Sequence, residues 1–65
     1  MKIVLNGDPR EVRAPSLAEA LAELGFGGAT VATAVNGAFV PALGRAAVLL
    51  AEGDRIEVLA PRQGG

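Results

Sequence analysis

The sequence predicts an α+β domain in which a mixed β-sheet is covered on one face by a single helix. Three observations support this prediction. Two pairs of β-rich segments each turn at Asn-Gly, one amphipathic segment lies between the pairs, and an alternating strand follows near the end. We expect residues 1–60 to form this domain and residues 61–65 to form a flexible tail.

The first pair of strands is predicted at the start of the chain. Residues 2–5 (KIVL) are rich in β-forming side chains, and residues 6–9 (Asn-Gly-Asp-Pro) are typical turn formers. Residues 11–14 (EVRA) are then expected to form the second strand, so that the segment is a hairpin. An irregular loop is the alternative for the same stretch.

A helix is predicted to begin at Ser16. The Ser16 hydroxyl can cap the amide three residues on, and Glu19 can reach back to the amide of Ser16. Gly25 suits the left-handed conformation that ends such a helix. The apolar face of this helix is formed by Leu17, Ala20, Leu21 and Leu24.

The second hairpin has the clearest signal in the sequence. Residues 31–35 and 38–41 flank Asn36-Gly37, a dipeptide that accepts the positive φ angles of a two-residue turn. In this register Ala34 faces Phe39. After a short irregular or helical turn, residues 47–50 are predicted to add a small strand, residues 52–54 a turn, and residues 55–60 the last strand. This order of elements is that of a β-grasp fold.

Alternation along the strands assigns side chains to the two faces of the sheet. The residues predicted to face the helix are Ile3, Leu5, Ile56, Val58 and Ala60. The opposite face is then expected to carry an exposed apolar patch, formed by Val4, Ala34, Phe39 and Leu59. Such a patch is typical of a partner-docking surface, here with Arg55 and Arg62 at its rim. The alternative places Phe39 in the core, with Thr33, Val35 and Val40 outside.

Composition excludes several classes of function. The 65 residues carry six basic and seven acidic side chains, so the net charge of -1 argues against nucleic-acid binding. The apolar runs are too short to span a membrane, and Met1-Lys2 leads into a strand instead of a signal peptide, so we expect a cytoplasmic protein. We also expect the free chain to be a monomer. With no His, Cys, Tyr or Trp, no catalytic residue, metal site or bound cofactor is expected.

The last two residues, Gly64-Gly65, are the candidate site of chemistry. Glycine has no side chain, so this pair can pass through a narrow channel and leave the terminal carboxylate unhindered. If a partner uses ATP to adenylate Gly65, a thiol, an amine or a sulfur donor can attack the activated carbonyl. The alternative is that the tail is a frayed end and the domain is a plain interaction module.

Four motifs in order carry a resemblance to a known family. The N-terminal MKIVLNG, the central AVNGAFVP, the EGDRIEVL before the tail and the terminal GG resemble the ThiS family of ubiquitin-like sulfur carriers of thiamine biosynthesis. The resemblance extends over essentially the whole chain. It implies that an adenylyltransferase related to ubiquitin-activating enzymes uses ATP to adenylate Gly65.

The resemblance also implies the later steps. Sulfur from a cysteine desulfurase or sulfurtransferase relay replaces the AMP, and the resulting thiocarboxylate donates sulfur to thiazole synthase. Gly64, Gln63 and Arg62 are then the residues that thread into the partner's active site. The family often has a small apolar residue before the glycines, where this chain has Arg62-Gln63. Related carriers serve molybdopterin synthesis, tRNA thiolation or conjugation to lysines, and these remain the alternatives.

Overall fold

The computed structural model describes residues 1–60 as one mixed sheet with one α-helix across its inner face. The elements are β1 (Lys2–Leu5), β2 (Asp8–Glu11), α1 (Leu17–Glu23), β3 (Ala32–Val35), β4 (Ala38–Val40), a 3₁₀ helix (Ala42–Ala47) and β5 (Arg55–Leu59). Strand β1 lies between β2 and β5, and β3 lies between β5 and β4; β1 and β5 are parallel and the other pairs antiparallel. The predicted fold class is therefore confirmed. Within these 60 residues no helix is long and apolar enough to cross a membrane. The predicted tail, residues 61–65, lies outside the described residues.

The first hairpin is tighter than predicted. Asn6 and Gly7 have φ angles of 48° and 87° and form a complete two-residue turn, so Leu5 pairs directly with Asp8. Strand β2 therefore spans Asp8–Glu11, and the predicted strand at residues 11–14 was wrong. Pro9 is accepted inside this strand because β2 lies at the edge of the sheet, where a missing N–H leaves no partner unsatisfied.

A proline limits each edge of the sheet. Hydrogen-bonded and non-hydrogen-bonded pairs alternate from the turn of each hairpin, so residues 9 and 11 of β2 and residue 39 of β4 direct their backbone groups outward. Pro9 has no N–H to offer, and Pro41 occupies the next outward position after Phe39. Each edge strand thus presents a single outward N–H: that of Glu11 in β2 and that of Phe39 in β4.

The helix begins at the predicted cap. The Glu19 amide donates to the Ser16 hydroxyl at 3.2 Å, and Gly25 follows the helix with a φ of 98°. The return contact differs from the predicted one: the Ser16 hydroxyl itself donates to the Glu19 carboxylate at 3.0 Å. A hydroxyl can accept and donate at once, so one side chain closes both contacts.

The segment before the helix pairs with the predicted strand at residues 47–50, but only over one bridge. Ser16 and Leu49 form an isolated antiparallel bridge, flanked by the hydrogen bonds from Leu17 N to Val48 O and from Leu50 N to Pro15 O, each 2.8 Å long. The ladder stops because the chain turns into α1 at residue 17. The predicted strand is therefore reduced to this bridge.

The core lies between α1 and the inner face of the sheet. The predicted inward residues of β1 and β5 are buried, and Ile3 and Ile56 are fully inaccessible. Strand β5 ends at Leu59, and Ala60, which was predicted to face the helix, is exposed. The buried apolar side chains are Ile3, Leu5, Val12, Leu17, Ala20, Leu21, Val40, Ile56 and Val58.

Asp54 holds together the turn before β5. Its carboxylate accepts hydrogen bonds from the Asn36 side-chain amide at 3.0 Å and from the Ala51 backbone N–H at 2.8 Å. These two contacts, in this order of size, lower the pKa of Asp54 below its ordinary value of 3.8. A carboxyl whose pKa is lower in the folded chain stabilises the fold above its unfolded pKa, and this stabilisation is lost as the pH falls through its folded pKa.

Replacing Asp54 by asparagine should therefore remove a pH-dependent part of the stability. The wild-type chain should be the more stable of the two at neutral pH, and the difference should shrink as the pH falls below 3.8 and through the lower folded pKa. Urea denaturation of both proteins between neutral pH and strong acid measures this difference. A gap that stays constant over the whole range would contradict the prediction.

Candidate functional site

The outer face of the sheet, opposite α1, carries exposed apolar side chains. Phe39 on β4 is 69% exposed and Leu59 on β5 is 72% exposed. The next residue of β4, Val40, is only 8% exposed, and Thr33, which pairs with it from β3, is only 2% exposed. The alternative that places Phe39 in the core is therefore wrong, and Phe39 and Leu59 lie on the predicted outer face.

A depression of about 190 Å³ lies between these two side chains. Ala34 pairs with Phe39 on one side and with Glu57 on the other, and Ala32 pairs with Leu59. Because the side chains of β3 are small here, they form a floor between larger walls on β4 and β5. The lining residues are Asn6, Ala32, Thr33, Ala34, Phe39, Glu57 and Leu59. This depression is called the outer pocket below.

Val4 lies on the same face but not in the outer pocket. It pairs with Arg55 and lines a second depression of about 220 Å³, next to the two turn glycines Gly7 and Gly37. Asn6 and Glu57 border both depressions. The predicted patch is thus divided: Ala34, Phe39 and Leu59 share the outer pocket, and Val4 is separated from them by polar side chains.

Asn6 fixes the end of β5 through its side chain. Its Nδ2 donates to the Val58 carbonyl at 3.1 Å, and the Val58 N–H donates to its Oδ1 at 2.8 Å. The side-chain amide therefore continues the pairing of β1 with β5 beyond its last backbone pair, Leu5 with Ile56. Sequence reasoning assigned Asn6 to the turn alone, because nothing in the local sequence indicates this long-range contact.

Asn36 fixes the opposite end of β5. The Arg55 N–H donates to Asn36 Oδ1 at 3.0 Å, and the Asn36 N–H donates to the Arg55 carbonyl at 2.8 Å. Both Asn-Gly turns thus hold the central strand, which leads directly to Ala60 and the predicted tail. Sequence reasoning also left Glu57 out of the docking patch. Glu57 lies two residues before Leu59, so the alternation of the strand already places both side chains on the same face.

The remaining predicted site residues, Arg62, Gln63, Gly64 and Gly65, lie outside the described residues. At the point where β5 ends, Leu59 and Ala60 border a further shallow depression with residues 30–32. Among residues 1–60, no group of three or more acidic side chains lies close enough to hold a metal ion. The candidate site in the described part of the chain is therefore the exposed apolar outer face, which extends to Leu59 at the end of β5.

Comparison with protein families decides the relationship of this chain. The model of the ThiS family matches residues 3–65. The chain belongs to the ThiS family. The match includes both Asn-Gly turns, the outer pocket and the terminal glycines. Comparison with curated protein sequences found no match.

Two solved structures of one thiamine biosynthesis protein from Geobacter metallireducens have the same ubiquitin-like β-grasp fold. A crystal structure of the thiamine biosynthesis protein ThiS is 30% identical, with a TM-score of 0.81 and full coverage of both chains. An NMR structure of a thiamine biosynthesis protein is 26% identical, with a TM-score of 0.78; the match covers all of this chain and 88% of the other. Residues 1–60, the part that the structure describes, therefore have the fold of this thiamine biosynthesis protein.

Proposed function

We propose that this chain is a sulfur carrier for thiazole formation in thiamine biosynthesis and that its reactive group is the carboxylate of Gly65. The observation that carries the proposal is the ThiS-family match over residues 3–65, which includes Gly64-Gly65. The thiamine biosynthesis protein of the same fold, seen in a crystal structure and an NMR structure, supports the choice of pathway. The chain acts as a co-substrate, and its partner enzymes supply the catalytic groups.

The proposed chemistry activates the carboxylate in three steps. The Gly65 carboxylate attacks the α-phosphate of ATP on the adenylyltransferase, pyrophosphate leaves, and an acyl-adenylate forms. The outer sulfur of a persulfide on the desulfurase relay then attacks the carbonyl carbon, AMP leaves, and an acyl disulfide forms. A second thiol of the relay cleaves the S–S bond, which releases the thiocarboxylate and leaves a disulfide on the relay. The thiocarboxylate so formed donates its sulfur to thiazole synthase. Gly64 and Gly65 fit a narrow channel because they carry no side chains.

The outer face is the proposed docking surface for the adenylyltransferase. Phe39 and Leu59 supply exposed apolar area, and Leu59 is followed by six residues that end at Gly65. Six extended residues span at most about 20 Å. The partner's ATP site must therefore lie within about 20 Å of the surface that receives Leu59.

The proposal predicts a single change in mass. After incubation with the adenylyltransferase, ATP and a sulfur source, intact-mass spectrometry should show one oxygen replaced by sulfur in the full chain. A variant without Gly65 should show no shift, while its urea denaturation curve should match that of the wild type because residues 1–60 are unchanged. If the wild-type chain gains no mass, or if the variant without Gly65 gains the same mass, the proposed function is wrong.

A further inference from the structure

Glu57 is an acidic group at the boundary of an otherwise mostly apolar pocket. In the register of the sheet it stands beside Ala34, whose other neighbour is Phe39. Its side chain is exposed and lines the outer pocket together with Leu59. An acidic side chain in this position lowers the apolar character of a docking face, so an apolar partner alone does not explain it.

Among residues 1–60, four of the seven carboxylates accept hydrogen bonds, and those of Asp8, Glu11 and Glu57 do not. Side-chain hydrogen bonds among residues 1–60 involve the carboxylates of Glu19, Glu23, Glu52 and Asp54. In the same part of the chain, the Glu57 carboxylate accepts none of these bonds. Glu57 therefore has hydrogen-bonding capacity to offer to a group from outside residues 1–60.

We propose that the outer pocket receives an arginine side chain of the adenylyltransferase, whose guanidinium pairs with the Glu57 carboxylate while its stem packs between Phe39 and Leu59. This inference rests on the proposed function and names the chemistry by which the partner recognises the docking face. Glu57 is then a specificity residue for docking. The apolar walls supply contact area, and the carboxylate sets the charge and the position of the group that enters.

Arginine fits this pocket better than lysine or an apolar side chain. Its guanidinium is planar, pairs with a carboxylate through two parallel hydrogen bonds, and packs favourably on aromatic rings such as that of Phe39. It is also less strongly hydrated than the lysine ammonium group, so it loses less on entering a partly apolar site. Arginine is moreover among the residue types that contribute most to binding at interfaces.

The test compares two variants that make the same chemical change. Glu57→Gln removes the charge in the outer pocket and keeps the shape, and Glu11→Gln makes the identical change on the edge strand β2. Calorimetry of each full-length variant with the adenylyltransferase should give a dissociation constant about tenfold weaker for Glu57→Gln and an unchanged one for Glu11→Gln. The affinity of Glu57→Gln should also depend less on salt than that of the wild type.

A charge swap identifies the partner residue. Glu57→Arg should weaken binding more than Glu57→Gln, because it places two like charges together. Among partner variants in which one surface arginine is changed to glutamate, one should restore the binding of Glu57→Arg. Failure of every such variant to restore it would overturn the inference.

The remaining outcomes separate this inference from the proposed function. Equal affinities of wild type, Glu57→Gln and Glu11→Gln would overturn the arginine contact while leaving carrier docking intact. If Glu57→Gln weakens binding in the wild-type background but not in an Arg62→Ala background, the carboxylate pairs with the chain's own tail, and the inference is wrong. Absence of wild-type binding would overturn docking to this partner as well.

Discussion

Replacing Leu59 by aspartate is expected to leave the chain folded and to prevent its modification by the adenylyltransferase. Leu59 is 72% exposed, so in the free chain the new carboxylate stays in water and costs little stability. In the docked complex it would replace an apolar wall of the outer pocket by a second carboxylate beside Glu57, at a cost of about 2–5 kcal/mol. We therefore expect the rate of modification at low carrier concentration to fall by about 100-fold or more.

Leu43 provides a matched control for this substitution. It is fully exposed on the 3₁₀ helix and does not line the outer pocket. Leu43→Asp makes the same change of side chain and charge, and it should be modified at the wild-type rate. Intact-mass time courses measure modification and urea denaturation measures folding. Unfolding of Leu59→Asp, or an equal loss of modification in Leu43→Asp, would contradict docking through the outer face.

Replacing Ile56 by alanine, in contrast, is expected to destabilise the fold itself. Ile56 is fully buried between β1 and β3, so its truncation should cost about 2–5 kcal/mol of unfolding free energy. A domain of this length has a total stability of roughly 3–10 kcal/mol, so the variant should be partly or largely unfolded at 37 °C.

Leu59→Ala is the control on the same strand for Ile56→Ala. Its side chain points to the opposite face, so its unfolding free energy should stay within about 0.5 kcal/mol of the wild type. Urea denaturation followed by circular dichroism compares the two variants. A similar loss in both would mean that the two faces of β5 are not separated into a stabilising face and a docking face.

The second hairpin and the two faces of the sheet were predictable because their signals are local. Asn36-Gly37 requires positive φ angles, and these dihedrals fix the pairing of Ala34 with Phe39. Strict alternation then determines that Ile56 and Leu59 lie on opposite faces. The helix start was equally local, since Ser16 caps an amide only three residues away.

The errors arose where tertiary context decides the local structure. Asp8 and Pro9 are turn formers by composition, but an edge strand accepts them once Asn6-Gly7 has completed the turn. The segment 47–50 has the composition of a strand, yet its partner enters a helix after one bridge. A short window of sequence shows neither whether a strand lies at the edge of the sheet nor where its partner strand stops.

The candidate site was predicted in outline and missed in detail. The exposure of Phe39 and Leu59 followed from strand alternation. That Asn6 and Glu57 separate Val4 from the outer pocket became visible only from the three-dimensional positions of their side chains. The contact of Asn6 with Val58 joins residues 52 positions apart, and no local pattern encodes such a pair. The tail residues remain a prediction from sequence and family.

The prolines at the two edges of the sheet bear on the solubility of this chain. A small sheet with an exposed apolar face and open edges is at risk of aggregation, because copies can add to one another strand by strand. Here Pro9 lies within one edge strand and Pro41 closes the other, so neither edge offers a second donor along the row. The chain can therefore keep its apolar outer face exposed without forming a continuous sheet with other copies of itself.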